Sequence, residues 1–299
     1  MDMGAMKTIS IVGHTALDYI FDIPAFPSAN SSACIKDYEQ FYGGGAANTA
    51  AAIAKLGGDC ELISPVGADF IDLNYETHLR NMGVKLGRLI RFEDEKTAKA
   101  YIFNDDEHNQ ITYFYWGASS RFPELEVPEV QMVHLATACP KFNVRMSQAA
   151  DFVSFDPGQD LMKYSKEDLL SIFSRTNILF ANRHEIQRIC EMTDQSFSEL
   201  RDDIKTIVVT YDVDGSKIYE DDAIDIPAVK ASPVDPTGAG DGYKAGFLVG
   251  VLKDCDLEVC GKIGATAASF IVEKCGCQTN LPTWEQMRRR YVDAFGDEL

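Results

Sequence analysis

The sequence predicts an α/β protein in which a mainly parallel sheet lies between two helical layers, with a small β-sheet lid at one edge. Three observations support this fold class. Short apolar segments alternate with helix-length segments along most of the chain, which is typical of a parallel sheet covered by helices. Residues 19–42 and 97–117 instead carry paired strand patterns. The glycine-rich and polar motifs follow predicted strands directly, and open parallel sheets bind ligands at that edge.

The core strands are predicted from short apolar or β-branched runs that are bounded by turn residues. These runs are Lys7–Gly13, Cys60–Val66, Met132–Ala136, Phe152–Asp156, Ile178–Ala181 and Ile207–Thr210. Helices are predicted between them, notably at Ala46–Leu56, Lys166–Arg175 and His184–Glu191. Because no internal repeat or low-complexity linker interrupts the pattern, we expect residues 1–299 to form one domain.

The lid is predicted from two segments that do not fit the alternation. Residues 19–42 contain prolines, serines and asparagines between short alternating pieces, which indicates a pair of strands projecting from the main sheet. Thr97–Phe103 and Gln110–Trp116 flank a polar tip, which is typical of a hairpin. We expect these strands to form a small sheet over one edge of the main domain.

Composition excludes several classes of partner and site. The 28 basic and 46 acidic side chains give a formal net charge of −18, which disfavours nucleic acids and anionic membranes as partners. The eight cysteines form no CxxC pair, so we expect buried, reduced thiols rather than a zinc site. No signal peptide is apparent and no apolar run approaches the ~20 residues that span a bilayer. A cytoplasmic location is therefore expected.

The most specific motif is DPTGAGDG at residues 235–242, which runs into an apolar helical stretch. A small-residue turn that starts a helix leaves backbone N–H groups unpaired, and these groups can hold an anion. A carboxylate in that position is unfavourable for phosphate binding unless it accepts a proton from an attacking hydroxyl. The motif therefore predicts a phosphoryl-transfer site around Asp241. The chain has no GxxxxGK[ST] sequence, so it is not a P-loop enzyme.

Three further features follow predicted strands, and each has a structural alternative. GGGAAN at 43–48 allows close backbone approach to a ligand, or it is a flexible turn before an alanine-rich helix. Asp18 can bind two sugar hydroxyls, or it is a solvated loop residue. Asn182 and Glu185 share a helix face and suit a hydrated Mg²⁺, or they form a capping box; the two interpretations are compatible. His14 has no evident partner in the sequence, so we expect it to be structural.

Together the motifs resemble the signatures of the ribokinase (PfkB) family of carbohydrate and nucleoside kinases. GGGAAN, NRHE at 182–185 and DPTGAGDG occur in the family's order, and the similarity spans residues 7–285. The segments starting at Gly13, Asn109, Ser154 and Gly276 (GHTALDYIFDIPAFP, NQITYFYWGA, SFDPGQD and GCQTNLPTW) resemble archaeal broad-specificity nucleoside kinases of this family. The resemblance implies a ribokinase-like, Rossmann-like α/β/α fold and ATP-dependent phosphorylation of a nucleoside 5′-hydroxyl.

The resemblance also implies roles for individual residues around the acceptor. Asp241 would be the catalytic base, and backbone amides of Gly238, Ala239 and Gly240 would form an anion hole. The residues implied to hold the ribose are Asp18, Gly44 and Asn48. Those implied to lie near the base or nucleotide are Gln110, Thr112 and Gln159.

On the donor side, the resemblance implies that Asn182 and Glu185 order Mg²⁺ and the phosphates of ATP. Thr210 and Gly215 belong to a nucleotide motif that usually reads Thr-x-Gly-x-x-Gly in the family. Here Asp212 replaces the first glycine, so either the donor sits differently or this carboxylate turns outward. Some members bind a monovalent cation such as K⁺, which here implies Asp235 and Thr237 with carbonyls around Gly276.

Two alternatives to a nucleoside kinase remain open at the level of sequence. A sugar kinase acting on ribose, fructose or a sugar acid would use the same chemistry. A nucleoside- or sugar-binding regulator without catalysis would show an eroded motif, yet Asp241 and its glycines are intact. The aromatic residues Tyr113, Phe114 and Trp116 favour a substrate that carries a base, although aromatic residues in strands more often serve packing. The edge strands of the lid predict a homodimer formed through the lid.

Overall fold

The computed structural model describes residues 7–107 and 109–299. The strands in these ranges are β1 (Ile9–Val12), β2 (Ala16–Asp22), β3 (Asp37–Gly43), β4 (Cys60–Gly67), β5 (Leu89–Phe92), β6 (Ala98–Asn104), β7 (Gln110–Tyr115), β8 (Val130–Leu135), β9 (Ala150–Phe155), β10 (Ile178–Asn182), β11 (Thr206–Thr210), β12 (Ser216–Tyr219) and β13 (Ala223–Ile226). The α-helices are α1 (Gly45–Lys55), α2 (Tyr75–Met82), α3 (Pro140–Gln148), α4 (Lys166–Phe173), α5 (Arg183–Thr193), α6 (Phe197–Asp203), α7 (Ala239–Leu252), α8 (Leu257–Ile271) and α9 (Trp284–Phe295).

The main sheet has the strand order β13-β12-β11-β10-β9-β8-β1-β4-β5. From β11 to β5 neighbouring strands pair in parallel, whereas β12 and β13 add antiparallel pairs at one edge. Parallel neighbours require crossover connections, and the helices between strands supply them. The predicted mainly parallel α/β sheet is therefore confirmed.

Helices cover both faces of this sheet. Side chains alternate along a strand, so Ile11 on β1 packs into one apolar cluster and Val12 into another. The first cluster is completed by α1, α2, α7, α8 and α9, and the second by α3, α4, α5 and α6. Because both faces are buried, the strands read as nearly continuous apolar runs, and this is the signal that predicted them.

The small sheet has the order β3-β2-β6-β7. Strand β2 pairs antiparallel with β3 and parallel with β6, and β6 and β7 form the predicted hairpin. One face of the sheet carries Asp18, Ala100 and Thr112, which alternate with aromatic residues on the other face. In the predicted turn of the hairpin, His108 lies outside the described residues. Within the described ranges, no helix is long and apolar enough to cross a bilayer.

Candidate active site

A cleft of about 670 Å³ lies between the small sheet and the carboxyl ends of the main-sheet strands. Its volume is in the range of small-molecule sites, roughly 300–1,000 Å³. The predicted site residues that line it are Asp18, Gly44, Asn48, Gln110, Thr112, Gln159, Asn182, Glu185, Thr210, Thr237, Gly238, Gly240 and Asp241. Three others, Ala239, Gly215 and Asp235, are not among the described residues that line it.

The DPTGAGDG motif forms the turn into α7. Gly238 has a left-handed φ of 82°, and the helix begins at the next residue. The Ala239 amide donates to the Pro236 carbonyl at 3.1 Å, so this amide is engaged within the turn. Among the described residues, the amides of Gly238 and Gly240 have no backbone acceptor. The turn therefore offers unpaired N–H groups beside Asp241, as a helix N-terminus does.

Asp241 lies in the first turn of α7 and is held by contacts from two helices. Asn48 on α1 donates its side-chain N–H to Asp241 Oδ2 at 2.9 Å. Lys244, one turn further along α7, places Nζ 3.0 Å from Asp241 Oδ1. With its side chain 18% exposed, the carboxylate is fixed in position yet accessible from the cleft.

Lys244 and Asp156 form a buried ion pair that sequence reasoning missed. Burial would lower the pKa of Lys244, but the charges of Asp156 and Asp241 hold it above its usual value. Lys244 is therefore a fixed cation beside the Asp241 carboxylate. Lys244 could have been identified in the sequence by its position three residues after Asp241, which places both side chains on the same helix face. Asp156 stands in the SFDPGQD segment, but nothing local links it to a residue 88 positions away.

Asp18 lies at the base of the small sheet, against the glycine-rich turn. A side chain on Gly43 would meet it, since an added Cβ would lie 2.0 Å from Asp18 Oδ2. Gly44 has φ 90°, and a Cβ there would lie 2.5 Å from the His14 carbonyl oxygen. The glycines therefore allow the turn to approach β2 closely.

The structure gives His14 a partner that the sequence did not show. The buried His14 places Nε2 3.0 Å from Asp160 Oδ2, and Lys163 contacts the other oxygen of the same carboxylate. Burial alone would raise the pKa of Asp160, but the contacts with His14 and Lys163 keep it below its ordinary value. Lys163 Nζ also lies 3.5 Å from the centre of the Trp116 ring. His14, Asp160 and Lys163 thus form a charged wall of the cleft.

The three aromatic residues of β7 and the turn after it have different surroundings. Phe114 lines the cleft, next to His14 at a ring-centre distance of 5.4 Å. Trp116 packs edge-on against both rings. Tyr113 lies on the other face of the small sheet and is 64% exposed, because side chains alternate along the strand.

Asn182 and Glu185 form the capping box of α5 and also line the cleft. Asn182 Oδ1 accepts from the amides of His184 and Glu185, and Glu185 Oε2 accepts from the Asn182 amide at 2.8 Å. Burial, and then the charge of Asp156, raise the pKa of Glu185. Two carboxylates therefore lie close enough to interact, an arrangement that a divalent cation would stabilise.

The nucleotide motif forms the turn between β11 and β12. Thr210 lines the cleft, whereas Gly215 packs its backbone against the Ile226 carbonyl. Asp212, at the usual glycine position, adopts a left-handed φ of 53°. Its carboxylate points to Arg183, 3.3 Å away, and is 71% exposed. The aspartate thus adopts a backbone conformation that favours glycine and directs its charge to a basic partner.

Asp235 and Thr237 border a second cavity beneath the small sheet. Asp235 Oδ1 accepts from the Thr237 amide at 2.9 Å, and Oδ2 accepts from the Gly276 amide at 3.3 Å. Both carboxylate oxygens are thus engaged by backbone donors. The monovalent-cation site stays a prediction.

Comparison with known proteins gives consistent matches along the whole chain. A family model described as pfkB family carbohydrate kinase matches residues 6–284. A nucleoside kinase of Methanocaldococcus jannaschii is 48% identical over 96% of this chain and 97% of its own length. One from Methanothermobacter thermautotrophicus is 42% identical over 99% of each chain.

Two solved structures share the fold. The crystal structure of the M. jannaschii nucleoside kinase matches with a TM-score of 0.93 at 47% identity, covering 97% of this chain and 99% of that one. A Burkholderia thailandensis nucleoside kinase in complex with inosine matches with a TM-score of 0.88 at 26% identity, covering 98% and 100%.

Proposed function

Because this chain belongs to the pfkB family of carbohydrate kinases, we propose that it is an ATP-dependent nucleoside kinase. It transfers the γ-phosphoryl group of ATP to the 5′-hydroxyl of a ribonucleoside. The observation that carries the proposal is the Asp241 carboxylate, which faces the cleft at the start of α7 beside unpaired amides. A base beside an anion-binding turn is the pairing that phosphoryl transfer to an alcohol requires.

At the acceptor end, Asp18, Gly44 and Asn48 hold the ribose so that its 5′-oxygen points to Asp241. Asp241 takes the hydroxyl proton as that oxygen attacks the γ-phosphorus in line. The amides of Gly238 and Gly240 stabilise charge on the transferring group. Ala239 would contribute only if its bond to Pro236 opened.

A substrate that carries a base suits the part of the cleft lined by Phe114, Gln159 and Lys163. Phe114 supplies an apolar ring face there, while Gln159 and Lys163 supply hydrogen-bonding groups. From the small sheet, Gln110 and Thr112 face the same space. The similarity to nucleoside kinases, one of them in complex with inosine, supports the same choice.

At the donor end, Asn182, Glu185 and Thr210 border the space for the triphosphate. Among the described residues, no group of three or more His, Cys, Asp or Glu side chains is placed to hold a metal ion. Mg²⁺, which keeps most of its waters, would be held by Glu185 through water, and when bound it neutralises phosphate charge. Gly215 as an ATP ligand, and K⁺ at Asp235 and Thr237, stay predictions.

A panel of acceptors tests the function directly. We would measure release of the donor's nucleoside diphosphate with inosine, guanosine, cytidine and adenosine, and with ribose and fructose, using several nucleoside triphosphates as donors. We expect turnover of at least one nucleoside to its 5′-monophosphate with ATP. Phosphorylation of free sugars alone would show that the enzyme is a sugar kinase instead.

Asp18 predicts a pH dependence of nucleoside binding. Burial, and then the charges of Asp241 and Asp235, raise its pKa from 3.8 to about 7. The ionised carboxylate accepts ribose hydroxyls better than the neutral acid, so affinity should rise with pH and level off above about 7, changing by up to tenfold per pH unit below that. The same shift destabilises the fold as pH rises from about 4 to 7, because only the folded protein keeps the proton.

Calorimetric titration of the nucleoside between pH 6 and 8 measures this dependence. In Asp18→Asn we expect weaker nucleoside binding, and the affinity should lack the pH dependence that Asp18 contributes. If the nucleoside affinity changed equally with pH in the wild type and in Asp18→Asn, another group would be responsible for the pH dependence.

The outer face of the small sheet supports a homodimer. Stacked rings cover it, including Phe21 with Phe103 at 4.7 Å and with Tyr38 at 5.7 Å, and Tyr38 and Tyr113 are 61% and 64% exposed. A second copy of the sheet would bury this apolar face.

Light scattering should therefore find a dimer for the wild type and a monomer for Tyr113→Glu. Val213→Glu, at an 88% exposed residue after β11, should remain a dimer; a monomeric wild type would contradict the proposal.

A further inference from the structure

A buried hydrogen-bond network joins the active site to the loop between α8 and α9. Its centre is Gln278, which is 5% exposed. Gln278 Nε2 lies 2.9 Å from Asn48 Oδ1 and 2.8 Å from the Tyr75 hydroxyl. Its Oε1 lies 2.9 Å from His78 Nε2. Gln278 does not line the cleft, so any effect on chemistry must pass through these neighbours.

One end of the network fixes the direction of the hydrogen bonds. The Tyr75 hydroxyl lies 2.7 Å from the Gly43 carbonyl oxygen, which can only accept. Tyr75 therefore donates its single proton to Gly43 and must accept from Gln278. This requires Gln278 to present its amide nitrogen.

The other end imposes the same orientation independently. The Asp241 carboxylate accepts from Asn48 Nδ2, so Asn48 turns its carbonyl oxygen toward Gln278. That oxygen also needs a donor, and the amide nitrogen of Gln278 supplies it. Gln278 Oε1 then faces outward and accepts from His78. Two acceptors at opposite ends thus require one orientation of Gln278.

We propose that Gln278 is a positioning residue for phosphoryl transfer. It orients the Asn48 amide so that a donor, not an acceptor, faces the Asp241 carboxylate. Its second bond, through Tyr75, holds the Gly43 carbonyl where β3 joins the ribose-binding turn. This inference rests on the proposed function, since Asp241 must act as a base for its orientation to affect turnover.

Gln278→Glu tests the orientation with almost no change in shape. A carboxylate has no N–H to donate, so Asn48 must turn its own N–H toward residue 278 and its oxygen toward Asp241. We expect kcat to fall roughly thirtyfold, with the KM for ATP unchanged. Gln278→Met also removes the donors but leaves Asn48 free to keep its nitrogen on Asp241, so kcat should fall only about threefold. A purely structural role predicts that methionine, which loses every bond, is no better than glutamate.

The pH profile of kcat gives a second readout. An acceptor facing Asp241 would raise the proton affinity of the base, so the acid limb should move up by about one pH unit in Gln278→Glu. Apart from the carboxyl group that Gln278→Glu introduces, the ionisable groups around this network are the same in all variants: Lys244, Asp18, Asp156, Asp235, Cys277, His134 and His78. The difference between variants therefore reports on residue 278.

Gln286→Glu is the matched control, because the side chain of Gln286 only accepts, from the amide and hydroxyl of Thr283 at the start of α9, and glutamate can do the same. Thermal unfolding is measured for each variant. If Gln278→Glu does not fold, a roughly thirtyfold fall of kcat in Gln278→Met, in place of the expected threefold fall, overturns the proposal. The proposal is overturned if kcat of Gln278→Glu stays within threefold of the wild-type value. It is also overturned if kcat falls but the acid limb of its pH profile does not move. The assay uses whichever acceptor the wild type phosphorylates, so a wrong substrate class and a wrong role for Gln278 give different results.

Discussion

Asp241→Asn is expected to lower kcat by at least a hundredfold while nucleoside binding changes little. The amide keeps an oxygen that can accept from Asn48, but it cannot take the proton of the attacking hydroxyl. General-base catalysis typically contributes between 10²- and 10⁴-fold, so the loss should be at least at the lower end. Steady-state turnover and calorimetric nucleoside binding would measure the two effects separately.

Asp254→Asn is the matched control for Asp241→Asn. It removes the same charge just after the end of α7, at an exposed residue with a left-handed φ of 56° that asparagine also tolerates. Its turnover should equal that of the wild type. Near-normal turnover in Asp241→Asn would show that another group takes the proton.

Lys244→Met is expected to destabilise the fold by about 3 kcal/mol. The lysine and Asp156 side chains are 12% and 7% exposed, and removing one partner of a buried pair leaves the other charge uncompensated. Asp156, Asp241 and Glu185 would then repel one another without a cation between them. Chemical denaturation of the wild type and the variant measures the change in the free energy of unfolding.

Lys166→Met is the comparison for Lys244→Met, because Lys166 pairs with Asp194 at the surface, where both side chains are substantially exposed. Exposed pairs contribute about 0–1 kcal/mol. Equal losses of unfolding free energy in the two variants would show that the buried pair contributes no more to stability than the exposed pair. A partial recovery of stability in Lys244→Met with Asp156→Asn would identify the unpaired carboxylate as the cause.

The sequence predicted the fold class and the family because both depend on local signals. Apolar runs such as Ile178–Ala181 identified buried strands, and the glycine-rich turn of residues 235–242 identified a helix start. These signals arise within one element and its neighbours, where side-chain periodicity and turn conformations operate. The structure confirms the architecture, while the roles of individual site residues stay predictions.

Contacts between distant parts of the chain could not be predicted in this way. His14 and Asp160 are 146 positions apart, and Gln278 is 230 positions from Asn48. No periodicity or local spacing encodes such a pair, because its distance depends on how several strand ends and helices pack together. Asp212 shows the same limit: its sequence position raised a conflict with phosphate, and only its contact with Arg183 showed where the charge goes.

The sequence by itself determined the kinase family and its class of chemistry, since a carboxylate within a glycine-rich turn at a helix start is a local feature. Tertiary structure alone decided what surrounds that carboxylate: the Lys244 cation, the amide of Asn48 and the buried Gln278 behind it. The physical reason is that backbone conformation is set by neighbouring residues. Charge and hydrogen-bond partners are set by packing across the whole fold.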